Sequence, residues 1–267
     1  MIAVTRVLAL VARGLLVAVL LAGSSFVFAA EPVAQEAVTF AIPDVWPWAY
    51  EDEAGELRGS LVEVANRLSE KTGVPVILRL RPLQRAIYEL RTGAANFSIL
   101  FQNPELDIKA VNVSSVTQVN ILLAALAESD YPLTLKALKG ERVAYIRGTY
   151  LGEAFEQDTD VVKVPVNAIS QALELLSIGR ISAILASDHN IYRTLSSQNR
   201  SHDQLRYHEH VPGQKGSLYM SRVAIRPEAA LRFSAAIAQM DADGELHRIF
   251  YGESASATEH GTLLSAQ

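Results

Sequence analysis

Short β-branched apolar runs along this chain are separated by stretches in which apolar residues recur every three or four positions, so strands and amphipathic helices alternate. Val38–Ile42 reads as the first strand, stopped by Pro43 and followed by an aromatic loop, Trp46-Pro47-Trp48-Ala49-Tyr50. Ser60 and Glu63 are spaced as a capping box for the helix that follows. Its apolar face is Leu61, Val64, Ala65 and Leu68, and Gly73 stands where a helix terminator belongs. Val74–Leu80 is β-rich, Pro82 opens a second helix closed by Gly93, and Phe97–Phe101 is another strand. The pattern then resumes. Arg142–Ile146 and Val161–Val166 are strands, Gly148-Thr149-Tyr150 starts a short helix, and Asn167 caps a longer one that Gly179 ends before the strand Ile181–Leu185.

An 86-residue shift superimposes Ala86, Ile87, Leu90 and Gly93 on Ala172, Leu173, Leu176 and Gly179. Any two βαβ units share such features, so the match supports two similar α/β lobes without demonstrating duplication. The apolar segments Asn120–Ala127 and Leu218–Ile225 lie where the chain would pass between lobes, a two-crossing hinge. Helices over Arg232–Met240 and Glu245–Phe250, broken at Gly244, would then return to the first lobe. The expected division is lobe one over 37–124 plus 219–252 and lobe two over 125–218, with a tail without regular structure over 253–267.

Residues 1–30 change the picture. They carry Arg6 and Arg13, no acidic residue, an apolar run and the small-residue exit Ala29-Ala30, which together read as a secretory signal peptide. An uncleaved anchor is the alternative, weakened by Arg13 and by the break at Gly23–Ser25. Without those residues the chain has 22 basic and 29 acidic side chains, which argues against nucleic acid and anionic membrane surfaces as partners. It has no cysteine, which excludes lipid attachment at an N-terminal cysteine, thiolate catalysis and Cys-ligated metals.

Several motifs resemble, in order and spacing, the extracellular solute-binding proteins of family 3. They are Pro47-Trp48-Ala49-Tyr50 with Gly55 and Gly59, Arg81-Pro82-Leu83-Gln84-Arg85-Ala86, Gly93-Ala94-Ala95-Asn96, Ala110-Val111-Asn112-Val113-Ser114, Leu138-Lys139-Gly140-Glu141-Arg142-Val143-Ala144, Gly148-Thr149 and Gly179-Arg180-Ile181-Ser182-Ala183. The resemblance implies a type II periplasmic binding protein fold, two α/β lobes closing on a ligand, and a periplasmic monomer that serves an ABC permease. It implies no cofactor. Two departures bear on the ligand. The family arginine that clamps an amino-acid carboxylate is replaced by Leu106 or Asp107, and the family aspartate that meets the ammonium falls near Ser187, with Asp188 beside it. An α-amino acid needs both charges answered, so the expected ligand is a small polar solute other than a standard α-amino acid.

Loops after the strands are where such a fold binds ligand. Trp46, Trp48 and Tyr50 offer an aromatic wall, or else plug the lobe. Arg85 is a candidate anion ligand, or a surface pair with Glu89. Phe101, Gln102 and Asn103 close a strand, and the amides can serve ligand or turn. Thr149 and Tyr150 would stand at a helix N-terminus able to hold an anion. Asp188 would meet a cation or cap the helix His189–Leu195. His208-Glu209-His210 supplies too few ligands for a metal. Binding without catalysis is the simplest reading; delivery to a membrane signalling receptor, or a cleft enzyme of the cyclohexadienyl dehydratase type, are the alternatives.

Overall fold

The computed structural model describes residues 36–252; the signal segment and the C-terminal tail read from the sequence lie outside them. Among the described residues, no helix is long and apolar enough to cross a membrane. In the first lobe β1 (Val38–Pro43) is followed by a small hairpin, β2 (Tyr50–Glu51) and β3 (Leu57–Arg58), and by α1 (Ser60–Thr72). Then come β4 (Val76–Arg81), α2 (Leu83–Thr92), β5 (Phe97–Phe101) and α3 (Pro104–Lys109). The long strand β6 (Ala110–Leu126) leads to the second lobe, with β7 (Arg142–Ile146), α4 (Glu153–Gln157), β8 (Val162–Val166), α5 (Ile169–Ser177), β9 (Ala183–Ser187) and α6 (Asp188–Ser197). A second long strand, β10 (Leu205–Ser221), returns the chain to α7 (Pro227–Ala242) and α8 (Glu245–Tyr251).

The main sheet runs β4-β1-β5-β10-β6-β9-β7-β8. Each half has the same order. A parallel set, β4-β1-β5 or β8-β7-β9, ends against one long strand that runs antiparallel to it. The two long strands, 17 residues each, pair with one another and so carry the chain between the lobes. This is the two-lobed, two-crossing architecture of the type II fold. The 86-residue shift also holds in space, since it maps β5 (Phe97–Phe101) onto β9 (Ala183–Ser187).

The ladder between the long strands is irregular where it passes from one lobe to the other. Its register slips between Glu209 and Val211 and again before Gln214, and Gly213 takes a φ of 65° that an L side chain rarely adopts. Beside this bulge Asp188 accepts from the Asn120 N–H at 3.0 Å, and the Asn120 side chain accepts from the Gly213 N–H at 3.0 Å. One buried carboxylate thereby braces α6 against both crossing strands.

The larger apolar cluster fills the first lobe and continues onto one face of the second, through Leu138, Val143, Phe155 and Leu185, and a separate cluster fills the second lobe's other face. In the first, Phe233 of α7 packs on Phe40 and Phe97 with ring centroids 5.7 and 5.2 Å away, which seats the C-terminal helices on the first sheet. Glu245 of α8 pairs with Arg67 at 2.5 Å and Lys71 at 3.0 Å, both on α1. In the second, Leu173 and Leu176 of α5 meet Ile184 of β9 and Ile191 of α6.

Four helix starts differ from the sequence expectation. Gly59, not Ser60, is the N-cap of α1, at φ 110° and ψ 165°; Ser60 falls inside the helix and its buried hydroxyl has no partner among the described residues. The capping box is therefore not formed. Gly148-Thr149-Tyr150 makes a turn, and the helix begins only at Glu153 behind Gly152, whose φ is 102°. Ala168 stands at the N-cap of α5, where Asn167 was expected. Ser187, not Asp188, caps α6 by accepting from the Asn190 N–H at 3.2 Å.

The lobes also meet side by side. Trp48 is buried between Phe101 of β5, Phe250 of α8 and His189 of α6, and the His189 ring lies 4.4 Å from it and 5.7 Å from Tyr251. Burial, with a smaller push from Arg193, lowers the His189 pKa from 6.5 to about 4.

Two outcomes follow for stability. A Cβ at Gly59 would stand 2.5 Å from the Trp48 carbonyl oxygen, whereas one at Gly73, also left-handed, meets nothing within 4 Å. Gly59→Ala should cost about 2–4 kcal/mol and Gly73→Ala about 1 kcal/mol in urea unfolding; equal costs would show that the close approach at Gly59 is not what constrains it. Because His189 is held neutral in the folded state, the unfolded chain binds more protons below pH 6.5, so stability should fall as pH drops from 6.5 towards about 4. The loss approaches about 3 kcal/mol at the bottom of that window, and His189→Gln should flatten the curve there, as read by thermal melts at stepped pH.

Candidate functional site

The carboxyl ends of β1, β5, β7 and β9 converge on one cavity between the lobes, the position at which an open α/β sheet leaves room for ligand. Counted together with the solvent that opens onto it, the space is about 780 Å³. The first lobe contributes Pro43, Val45 and Trp48 after β1, Ile99–Phe101 from β5, Leu83 and Ile87 from α2, and Asn103 and Leu106 around α3. The second contributes Ile146 and the turn Gly148–Leu151 after β7, then Leu185–Ser187 from β9 and Asn190 from α6. Among the described residues lining it, none carries a formal charge.

A second space of about 810 Å³ shares Ile87, Asn103, Leu106 and the Gly148–Tyr150 turn with the first and forms its polar mouth. Its charged groups largely answer one another: Glu105 pairs with Lys109 and lies 3.7 Å from Arg91. Glu156 accepts from the Leu151 N–H at 3.4 Å.

Of the side chains expected to meet ligand, Trp48, Phe101, Thr149 and Tyr150 line the cavity. Trp48 crosses between lobes, its indole N–H donating to the Asn190 side-chain oxygen. That oxygen also accepts from the Ser187 hydroxyl at 3.1 Å, so Trp48, Ser187 and Asn190 form one buried network. On the other flank the Gln84 amide donates to the Gly148 carbonyl at 3.3 Å. Thr149 and Tyr150 sit on a turn, not at a helix start, which removes the helix N-terminus from the argument for an anion site. Burial, then Glu153 and Glu156, raise the Tyr150 pKa, so its phenol stays neutral.

The other expectations are placed elsewhere. Arg85 turns to Glu89 at 2.9 Å and lies over the Tyr88 ring at 5.2 Å, outside the cavity lining. Glu89 is buried, which raises its pKa, but hydrogen bonds from Arg85 and Arg81 outweigh that and hold it below the ordinary value. The pairing at i+4 thus uses the cation that sequence position suggested for ligand. Gln102 is held by β10, its side chain donating to Ser217 at 2.8 Å and its carbonyl accepting from Gln214 at 2.8 Å. Tyr50 belongs to the β2–β3 hairpin, and Trp46 is half-buried away from the lining. Asp188 serves the hinge.

Three lining positions carry information that residue chemistry alone did not rank. Leu106 faces the cavity where the family resemblance implies an arginine, while Asp107 points away and accepts from the Tyr219 hydroxyl at 2.6 Å. Ser187, where the resemblance implies an aspartate, also lines the cavity. Asn190 read as an ordinary helix residue; its spacing of three from the capping Ser187 was the available signal.

No family model and no curated protein sequence matches the chain. Solved structures do. An ancestral arginine-binding protein bound to arginine has 17% identity and a TM-score of 0.70, covering 82% of this chain and 100% of its own. A histidine kinase sensor domain with similarity to periplasmic binding proteins has 18% identity and a TM-score of 0.71, covering 82% and 97%. A substrate-binding protein of an ABC uptake transporter from Streptococcus pneumoniae, with bound histidine, has 15% identity and a TM-score of 0.69, covering 81% and 93%. At these identities the likeness establishes the fold: this chain has the two-lobed architecture of type II periplasmic binding proteins.

Proposed function

We propose that this protein is a periplasmic solute-binding protein whose two lobes, joined by β6 and β10, capture a small solute other than a standard α-amino acid. The observation that carries the reading is the cavity itself, built from both lobes at the strand ends and free of formal charge in its described lining. A ligand touching both lobes stabilises the closed form by the difference between its affinities for closed and open states. A zwitterion would have to bury a carboxylate and an ammonium against Leu106 and Ser187, neither of which can answer a charge. Among the described lining residues the one titratable side chain is the Tyr150 phenol, which favours capture over turnover. Its partner in this reading is the permease of an ABC importer. The likeness to a histidine kinase sensor domain favours a second reading, in which the closed form is presented to a signalling receptor.

A thermal-shift screen of small solutes tests the proposal. The true ligand should raise the melting temperature as RT ln(1 + [L]/Kd), about 2.7 kcal/mol of stabilisation at a hundredfold excess over Kd. Trp48→Ala and Tyr150→Ala should each weaken that ligand about tenfold or more, as expected for truncating a buried aromatic contact, with Trp48→Ala also lowering the unliganded melting temperature. Glutamine, histidine or arginine giving the largest shift at micromolar concentration would overturn the exclusion of α-amino acids. A full solute panel without a single shift would overturn the binding function.

A further inference from the structure

The hydrogen-bonding capacity of the cavity is divided unequally between the lobes. On the first lobe every polar side chain in the described lining is already engaged. The Asn103 side chain accepts from the Leu106 N–H at 2.8 Å and donates to the Phe101 carbonyl at 3.5 Å, and Thr117 is hydrogen-bonded with Tyr251. What this lobe offers to a guest is therefore apolar: Trp48, Phe101, Ile99, Leu83, Ile87 and Leu106. On the second lobe the Thr149 and Tyr150 hydroxyls make no hydrogen bond to any described residue, and neither do the Asn190 side-chain N–H groups. These are neutral groups. Charged groups stand at its mouth, with Glu105 set against both Lys109 and Arg91.

We infer that the ligand is an electroneutral two-faced molecule, an aromatic ring or compact apolar body that seats on the first lobe and a neutral amide, carbonyl or hydroxyl edge that bonds to Thr149, Tyr150 and Asn190 of the second. This rests on the solute-binding reading and narrows it to a chemical class. Burying the apolar body needs no partner from lobe one. The neutral edge relieves the unpaired groups of lobe two, whereas a charged edge would enter a cavity with no counter-charge in its described wall. Division of the two faces between the lobes makes the polar edge the part that is recognised on closure.

Four probes that share one ring and differ in charge test the class: benzamide (neutral), benzoate, benzylamine and L-phenylalanine (zwitterion). Affinity is read by calorimetry and by Trp48 fluorescence in a Trp46→Phe background, since the chain has two tryptophans. Benzamide should bind at least about tenfold more tightly than each of the other three. Tyr150→Phe and Thr149→Val should each weaken benzamide about three- to tenfold, with the melting temperature of the free protein unchanged. A charged or zwitterionic probe equal to or tighter than benzamide would overturn the class and leave solute binding standing, as would indifference of benzamide to both variants. Silence from all four probes would also overturn the class; only silence from the wider solute panel as well would remove the binding function with it.

Discussion

Everything between the lobes hangs on the antiparallel pairing of β6 with β10. Each half of the sheet is a parallel set that a long strand closes on one side, and the two closing strands are hydrogen-bonded to each other. A single ladder therefore fixes how the strand ends of one lobe face those of the other. Its register slips at Glu209–Gln214, where Gly213 is left-handed and where the Asp188 carboxylate reaches the Asn120 backbone. A bulge lets a strand bend without unpairing its flanks; two of the ladder's four register shifts fall at the passage between lobes, and the other two lie beside β5 at Gly216–Tyr219. Asp188 limits that freedom, because a buried carboxylate keeps its hydrogen-bond donors or is left with a costly unpaired charge.

The same geometry explains why cleft chemistry and lobe packing use the same residues. Trp48 leaves β1 at its carboxyl end, is pinned by the backbone that Gly59 approaches, and reaches the second lobe through Asn190 and His189. It is at once a wall of the cavity and a strut between lobes. Any guest beside it meets a surface already held rigid by protein contacts, which lowers the ordering cost of binding.

The fold was legible because its determinants are local. Periodicity placed α1, α2, α5 and β5, and the glycines at 73, 93, 179 and 244 mark turns that need φ near 70°. Helix starts were less legible. Ser60, Asn167 and Asp188 are all competent caps, and a neighbour took each role: Gly59 because its backbone adopts a conformation closed to serine, Ala168 and Ser187 through tertiary placement one residue away. Among candidate site residues, Trp48, Phe101, Thr149 and Tyr150 come together because strand ends and the turns after them are dictated by topology. The directions of Arg85, Gln102 and Asp188 are not, since each depends on a competing partner: Glu89, β10 and Asn120. Chain position locates a backbone in a cleft; which way a long polar side chain turns is decided by the nearest group of opposite character.

That competition also shapes the cavity. Several charges near the strand ends are taken by the protein, Arg81 and Arg85 by Glu89, Asp188 by the Asn120 backbone and Lys109 by Glu105, while Asp44 after β1 and Arg147 after β7 are exposed and stand outside the lining. What remains facing the space is what no protein partner claimed, namely apolar side chains on one lobe and neutral hydroxyl and amide groups on the other. A guest that recruited Arg85 or Asp188 would draw those pairs apart, leaving Glu89 or Asp188 buried with fewer partners, at a cost of several kcal/mol. A neutral guest asks for no such rearrangement. The absence of charge in the described wall thus reflects both the pairing of Arg85 and Asp188 with protein groups and the presence of Leu106 and Ser187 in the lining.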